Sequence, residues 1–335
     1  MADNIRVIQY GLGAIGRAAA KLVLERTGLE LVAAVDCNPE LAGQDLGRIL
    51  GLNKDLGIIV VEKLEDLFQQ VEADVVLHCT GSHFINVQPE LVAIAQAGLH
   101  CITSCEEALF PHYRNPDLAD DLNNQCVANS VSILGTGVNP GFVMDTLPAV
   151  LTAVSQRVDS IRILRVVNAA TRREALQRKV GATMGEAEFR KLVNEGRMGH
   201  IGLLESLVLL ATTLGWSVEN ISEVVEPVLA QGSVRTDFLN VLRGQVAGVQ
   251  QVARAERDGR EVIRLDLQMY VGAENPRDEI EITGVPSLKL VIPGGTPGDL
   301  ATPAILVNMI PSVVTAVPGL HTMATLPLPH LSGHA

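Results

Sequence analysis

The sequence predicts an α/β fold in two parts, a doubly wound parallel sheet followed by a unit with a mostly antiparallel sheet. Three observations predict it. Residues 5–36 read as strand, glycine turn, helix and strand within one crossover unit. Short apolar runs then alternate with helical stretches as far as residue 143, the rhythm of strands joined by crossover helices. Beyond that point long extended runs flank Asp258-Gly259, a strong hairpin signal.

The first unit is organised by its glycine turn. Val7 and Ile8 open an apolar strand, and Gly11, Gly13 and Gly16 form G-x-G-x-x-G where that strand must turn into a helix from Ala14 to about Arg26. Gly11 permits the tight turn, Gly13 lets backbone N–H groups approach a pyrophosphate at the helix N-terminus, and Gly16 lets helix and strand pack closely. No side chain is expected to fit at any of the three. The next strand, LELVAAVD, ends in Asp36, twenty residues after Gly16, where a carboxylate accepts bonds from a ribose 2′-OH. Jointly this is the Rossmann dinucleotide pattern, with Gly11, Leu12, Gly13, Ala14, Ile15, Gly16 and Asp36 on the cofactor. A glycine-rich turn without ligand, or an Asp36 that only caps the following loop, are the bland alternatives. NAD(H) is favoured, since a carboxylate repels a 2′-phosphate and no arginine follows in CNPE; NADP(H) stays open.

Composition narrows the classes. The 335 residues are 47% hydrophobic and 19% charged, ample for two packed units. A net charge of −12 without a lysine or arginine run argues against nucleic acid or an acidic membrane face as partner. The N-terminus enters a strand almost at once, so no signal peptide is expected, and no apolar run approaches the ~18 residues of a membrane span. A cytoplasmic location is the expectation. Five cysteines without a C-x-x-C pair fit reduced thiols, and eight scattered histidines without H-E-x-x-H point to no metal.

In chain order, Leu64–Val71 reads as a short amphipathic helix and Ala73–Ser82 as a buried strand. Its end, Thr80, Gly81 and Ser82, lies where open α/β sheets bind ligands and is expected to line the cofactor cleft, a plain turn being the alternative. A helix Pro89–Ala97 ends at Gly98, and LHCITSCEE is a further strand bringing Ser104, Cys105, Glu106 and Glu107 to the same edge as the glycine turn. Asp117–Gln125 is a polar helix. VSILGTGVNPGFVMD follows, a strand whose end carries Gly135, Gly137, Asn139, Pro140 and Gly141, with Phe142 among them, implying close approach to a ligand.

In the second unit Ile161–Val167 is a strand, and Gly185–Asn194 and Gly202–Leu214 are helices. Gly244–Ala255 and Glu261–Val271 are antiparallel neighbours, and Ile280–Thr283 and Leu288–Ile292 add strands. An open antiparallel sheet has one face left to cover, which predicts a substrate pocket and a homodimer interface here. A final apolar helix, Ala304–Ala316, kinked at Pro311, is expected to return to the nucleotide-binding part and to bring Thr302 and Asn308 near the cleft. The predicted parts are therefore 1–143, 144–302 and 303–335.

Six stretches, GLGAIGRAAAKL, TSCEEALFP, LGTGVNPGFVMDTLP, RREALQRKVGA, GHIGLLESL and PGGTPGDLATPAILVNMIP, together resemble the 2,4-diaminopentanoate dehydrogenase and native amine dehydrogenase family over nearly the whole chain. That family's fold resembles dihydrodipicolinate reductase, whose histidine-pair signature is absent here. The resemblance implies NAD(P)-dependent oxidative deamination of an amine, or reductive amination of a ketone or aldehyde with ammonia. It also implies a catalytic glutamate in the CEE motif, matched to Glu107 with Glu106 as alternate. By the same matching Asn139, Phe142, Met144, Leu176, His200 and Thr302 resemble pocket positions.

The chemistry independently asks for such a carboxyl, because ammonia must be neutral to attack a carbonyl and the carbinolamine must lose water before hydride reaches the iminium carbon. Adjacent carboxylates in an apolar cleft raise each other's pKa towards working pH. The bland alternative is that one glutamate, Glu106 foremost, caps the following helix. Three rival readings remain. Cys105 as a nucleophile makes an aldehyde dehydrogenase, although a flanking Glu106 raises its thiol pKa. Arg172, Arg173 or Arg178 clamping a carboxylate makes an amino acid or diamino acid dehydrogenase. A non-catalytic dinucleotide sensor is the third, disfavoured by the missing basic patch.

Overall fold

The computed structural model describes residues 4–67 and 70–331. The chain forms two units, Met1–Phe142 with Pro297–Ala335, and Val143–Thr296.

In the first unit β1 (Ile5–Tyr10), α1 (Ala14–Glu25), β2 (Leu29–Val35), α2 (Leu46–Ile49), β3 (Val75–His78), α3 (Phe84–Gln96), β4 (His100–Thr103), α4 (Pro116–Ala128) and β5 (Ser132–Gly135) follow one another. Spatially the strands run β2-β1-β3-β4-β5, all parallel, so their C-terminal ends share one edge. Buried Gly16, Ala19, Ala20 and Val23 recur at helical spacing on α1. A core of Ile8, Val76, Ile133, Phe84, Leu91 and Leu122 joins the sheet to α3 and α4, each large side chain contributing roughly 1.5–3 kcal/mol by its burial.

Three expectations differ from the structure. The strand predicted over Ala73–Ser82 pairs only from Val75 to His78. The helix expected from Pro89 begins at Phe84, with Pro89 inside it, because a carboxylate remote in sequence, that of Glu107, accepts the Phe84 N–H and starts the helix early. Exposed Pro89 then removes one backbone bond without ending the helix. Of the helix expected over Leu64–Val71, Leu64–Leu67 is a single 3-10 turn, and Phe68 and Gln69 lie outside the described residues.

The second unit contains α5 (Thr146–Leu151), β6 (Arg157–Asn168), α6 (Glu174–Lys179), α7 (Glu186–Asn194), α8 (Leu203–Thr213), β7 (Glu219–Leu229), the two-residue strands β8 (Val234–Arg235) and β9 (Asn240–Val241), β10 (Val246–Arg257), β11 (Arg260–Tyr270), β12 (Arg277–Val285) and β13 (Leu288–Pro293). Its main sheet runs β13-β12-β6-β11-β10-β7, antiparallel except for the parallel pair β6–β11. Asp258 and Gly259 join β10 to β11 with φ of +54° and +70°, the two positive values a type I′ turn requires. The sequence reading missed β7, whose charges and Pro227 disguise it. It is an edge strand, where both are tolerated.

One face of this sheet carries Ile163, Ile263, Leu265, Ala253 and Ile280, and α8 packs on it. The same face holds a buried ion pair. Arg165 Nη1 lies 3.0 Å from both oxygens of Asp278, and Nη2 donates to the Thr296 carbonyl at 2.5 Å, while the Thr296 N–H donates to Asp278 at 2.7 Å. The opposite face presents register rows Ser222, Arg254, Arg264, Arg162, Glu281, Lys289 and Val224, Val252, Asp266, Leu164, Glu279, Val291.

The chain closes with α9 (Gly298–Asn308), α10 (Ile310–Val314) and β14 (Gly319–His321) in the first unit. The single kinked helix expected over Ala304–Ala316 is instead two helices meeting at Met309, because Pro311 occupies the first turn of α10, the helical position that suits proline. Helix α9 packs on α1, and β14 pairs parallel with β5. Among the described residues no helix is long and apolar enough to cross a membrane.

Candidate active site

The glycine turn sits at the C-terminal edge of the parallel sheet. Gly11 has φ of +89°, and a Cβ there or at Gly16 would overlap the carbonyl of Cys79 or of Gly11 itself, so sterics demand glycine at both. Gly13 differs, and the expectation that no side chain fits is corrected at this position: a Cβ there meets no protein atom within 4 Å. The space beside it is what a pyrophosphate needs, and α1 starts without a side-chain cap on its first-turn N–H groups. These residues fit a dinucleotide.

Asp36 is tied to the backbone of the glycine turn and of the loop after β2. Its Oδ2 accepts the Leu12 N–H at 2.6 Å and its Oδ1 the Asn38 N–H at 2.9 Å. Each oxygen keeps a further lone-pair direction for a ligand hydroxyl. Arg17, which sequence reasoning passed over, donates from Nε to the Leu12 carbonyl at 2.6 Å and from Nη1 to the Ile49 carbonyl at 3.1 Å. Leu12 is thus held through both of its backbone polar groups. The available signal was a cation in the first turn of the helix, beside Gly16.

Thr80 lies past the end of β3 and donates to Glu90 Oε2 at 2.7 Å. Buried His78 lies 2.7 Å from that carboxylate through Nε2 and 2.9 Å from Thr103 Oγ1 through Nδ1. Burial tends to raise the Glu90 pKa, but the hydrogen bonds from His78 and Thr80 outweigh it and hold the carboxyl below its usual range. A histidine and a threonine in otherwise apolar short strands were the sign of this network. The Ser82 carbonyl, beyond Gly81, accepts the Glu107 N–H at 3.2 Å.

Glu107 belongs to a 3-10 turn, Glu106–Leu109, that follows β4 and seats against β5. A Cβ at Gly135 would overlap the Ala108 carbonyl, which explains a glycine at the end of β5. The Glu107 side chain is 12% exposed. Its Oε2 accepts the Phe84 N–H at 2.8 Å, and its Oε1 lies 3.0 Å from Nδ1 of His83. The helix-capping role anticipated for Glu106 is therefore played by Glu107, on α3, which precedes it in the chain. Glu106 is half-buried beside it. Cys105 is buried, and that burial, with the charges of Glu106 and Glu107, pushes its thiol up to about 12. A neutral thiol is a poor nucleophile, which removes the support for thioester chemistry.

The predicted pocket residues divide between the units. In the first, Thr302 on α9 accepts the Val138 N–H at 3.2 Å, which joins it to the turn carrying Gly137, Asn139 and Phe142. Asn308, at the end of α9, has a buried Oδ1 without a hydrogen-bond partner among the described residues. In the second, Met144 is wholly buried, Leu176 on α6 is half-buried, and His200 has its N–H and C=O both bonded to the Gln251 amide. Of the candidate arginines, Arg172 is half-buried, whereas Arg173 and Arg178 are exposed, the latter paired with Glu174 at 2.7 Å. Among the described residues no group of three or more His, Cys, Asp or Glu could hold a metal ion.

Comparison with known proteins follows the same division. Residues 5–103 match the family model described as dihydrodipicolinate reductase, N-terminus, and residues 142–334 that described as the 2,4-diaminopentanoate dehydrogenase C-terminal domain. A 2,4-diaminopentanoate dehydrogenase from Acetoanaerobium sticklandii is 32% identical over 333 residues, 98% of this chain and 94% of that protein. An amine dehydrogenase from Streptomyces virginiae is 28% identical over 173 residues, 50% of this chain and 47% of that protein. The solved structure of an amine dehydrogenase from Mycobacterium smegmatis superposes with a TM-score of 0.88 at 26% identity, covering 99% of this chain and 98% of that one. The chain belongs to the 2,4-diaminopentanoate dehydrogenase family, oxidoreductases that act on a CH–NH2 donor.

Proposed function

We propose that this protein catalyses the reversible, NAD(H)-dependent oxidative deamination of a primary amine to a ketone or aldehyde and ammonia, with Glu107 as the acid/base group and Glu106 as the alternate. The observation that carries it is a shielded carboxylate on the loop after β4, at the edge where the glycine turn lies. Bound nicotinamide supplies the hydride acceptor. The net reaction, R2CHNH3+ + NAD+ + H2O → R2CO + NH4+ + NADH + H+, releases one proton. Glu107 takes that proton from the ammonium group, since only the neutral amine has the lone pair that drives hydride departure, and later helps water add to the iminium carbon. Once that proton has passed on, the ionised carboxylate stabilises the iminium charge.

NAD(H) is preferred over NADP(H). Two backbone N–H groups anchor the Asp36 carboxylate beside the glycine turn, where it repels a 2′-phosphate. Fluorescence titration should give NADH a Kd at least about tenfold lower than NADPH, a difference of about 1.4 kcal/mol. Equal affinities would contradict this role of Asp36.

A second reading, a diamino acid or amino acid dehydrogenase, is favoured by the Acetoanaerobium relative and by half-buried Arg172. Offering NAD with simple primary amines, α-amino acids and 2,4-diaminopentanoate separates the two. Turnover of simple amines is the expected outcome; turnover confined to carboxylate-bearing substrates moves the assignment to the second reading. Either enzyme works as a homodimer through the open sheet face, whose rows set arginines beside glutamates and so permit a self-complementary pairing about a two-fold axis.

A further inference from the structure

We infer that His83 is the proton relay between Glu107 and solvent, an inference resting on Glu107 as the acid/base group. The proton that Glu107 accepts must leave, yet its side chain is only 12% exposed. One oxygen, Oε2, is committed to the Phe84 N–H. The other, Oε1, meets the His83 ring at 3.0 Å, and that ring is 52% exposed. The two groups that hold the carboxylate come from consecutive residues, and the backbone there is tied into the first turn of α3. His83 is the N-cap of α3, and its carbonyl accepts the N–H groups of Asn86 and Val87 at 3.1 and 3.3 Å.

Imidazole suits this position in both states of the carboxyl. When Glu107 is ionised, Nδ1–H donates to Oε1; when Glu107 is protonated, its O–H donates to a bare Nδ1. Transfer then moves one proton from Oε1 to Nδ1 while Nε2 releases one to water, so a proton enters and a proton leaves with no electron moved. Nε2 has no partner among the described residues.

The test uses His83→Asn, whose amide N–H can keep the bond to Oε1 but cannot pass a proton, together with His83→Ala. Deamination rates are measured at fixed pH and ionic strength against rising imidazole. The relay predicts that His83→Asn lowers kcat roughly ten- to a hundredfold, less than the full loss of general acid–base catalysis, leaves the Kd for NADH unchanged, and regains rate as imidazole rises, whereas the parent enzyme ignores the buffer. His83→Ala should be rescued likewise. A kcat within twofold of the parent, or a loss that no buffer restores, would overturn the relay, the latter leaving His83 a structural support. Failure of the underlying assignment looks different: Glu107→Gln itself stays active.

Discussion

Glu107→Gln should lower the deamination rate roughly a hundred- to ten-thousandfold, the span of general acid–base catalysis, while NADH still binds. The substitution is close to isosteric, and its amide can preserve both local contacts: the Gln oxygen can accept the Phe84 N–H, and the Gln amide group can face His83 Nδ1. Helix α3 therefore keeps its cap, and lost turnover cannot be blamed on an unfolded N-terminus. Glu106→Gln is the matched control, expected to retain most activity. Steady-state kcat with a nicotinamide fluorescence titration reads both effects. If the two variants exchange behaviour, the acid/base role passes to Glu106; if both stay active, the carboxylate mechanism is wrong.

The largest stability effect is expected far from this chemistry. Arg165→Met leaves Asp278 buried without its guanidinium, although the Thr296 N–H remains, and should destabilise the second unit by about 3–5 kcal/mol. The double replacement Arg165→Met with Asp278→Leu removes both charges and should recover much of that loss, because a buried pair often contributes little over well-packed apolar groups. Midpoints of urea unfolding measure all three proteins. A single variant within about 1 kcal/mol of the parent would show that water or a neighbour solvates Asp278.

Much of the fold is local, and so was legible. Periodicity located α1 and β2, and Asp258-Gly259 located the β10–β11 turn, because glycine chemistry and amphipathic spacing act over a few residues. What escaped is held by distant partners. The start of α3 at Phe84 depends on a carboxylate 23 positions onward, and a propensity reading stops instead at Pro89. The three-residue strand β14 exists because β5 offers an edge and Asn123 accepts the Leu320 N–H at 3.0 Å. Arg17 and His83 look like ordinary surface residues until the fold brings Ile49 and Glu107 to them. The glycine turn announced a dinucleotide through its spacing, and the CEE motif brought Glu106 and Glu107 forward; the contacts of Glu107 with Phe84 and His83, 23 and 24 positions away, lie beyond any local pattern.

Amine chemistry at a nicotinamide shows itself in the ammonium dependence of NADH oxidation. With NADH and a panel of short ketones, aldehydes and keto acids, loss of absorbance at the nicotinamide band should require ammonium and rise with pH as more NH3 forms, until the needed protonation state of the carboxyl or substrate is lost. Cys105→Ser should behave like the parent, since its buried neutral thiol takes no part. NADH oxidation that ignores ammonium, or its absence across the whole panel at saturating ammonium, would rule out amine chemistry in this protein.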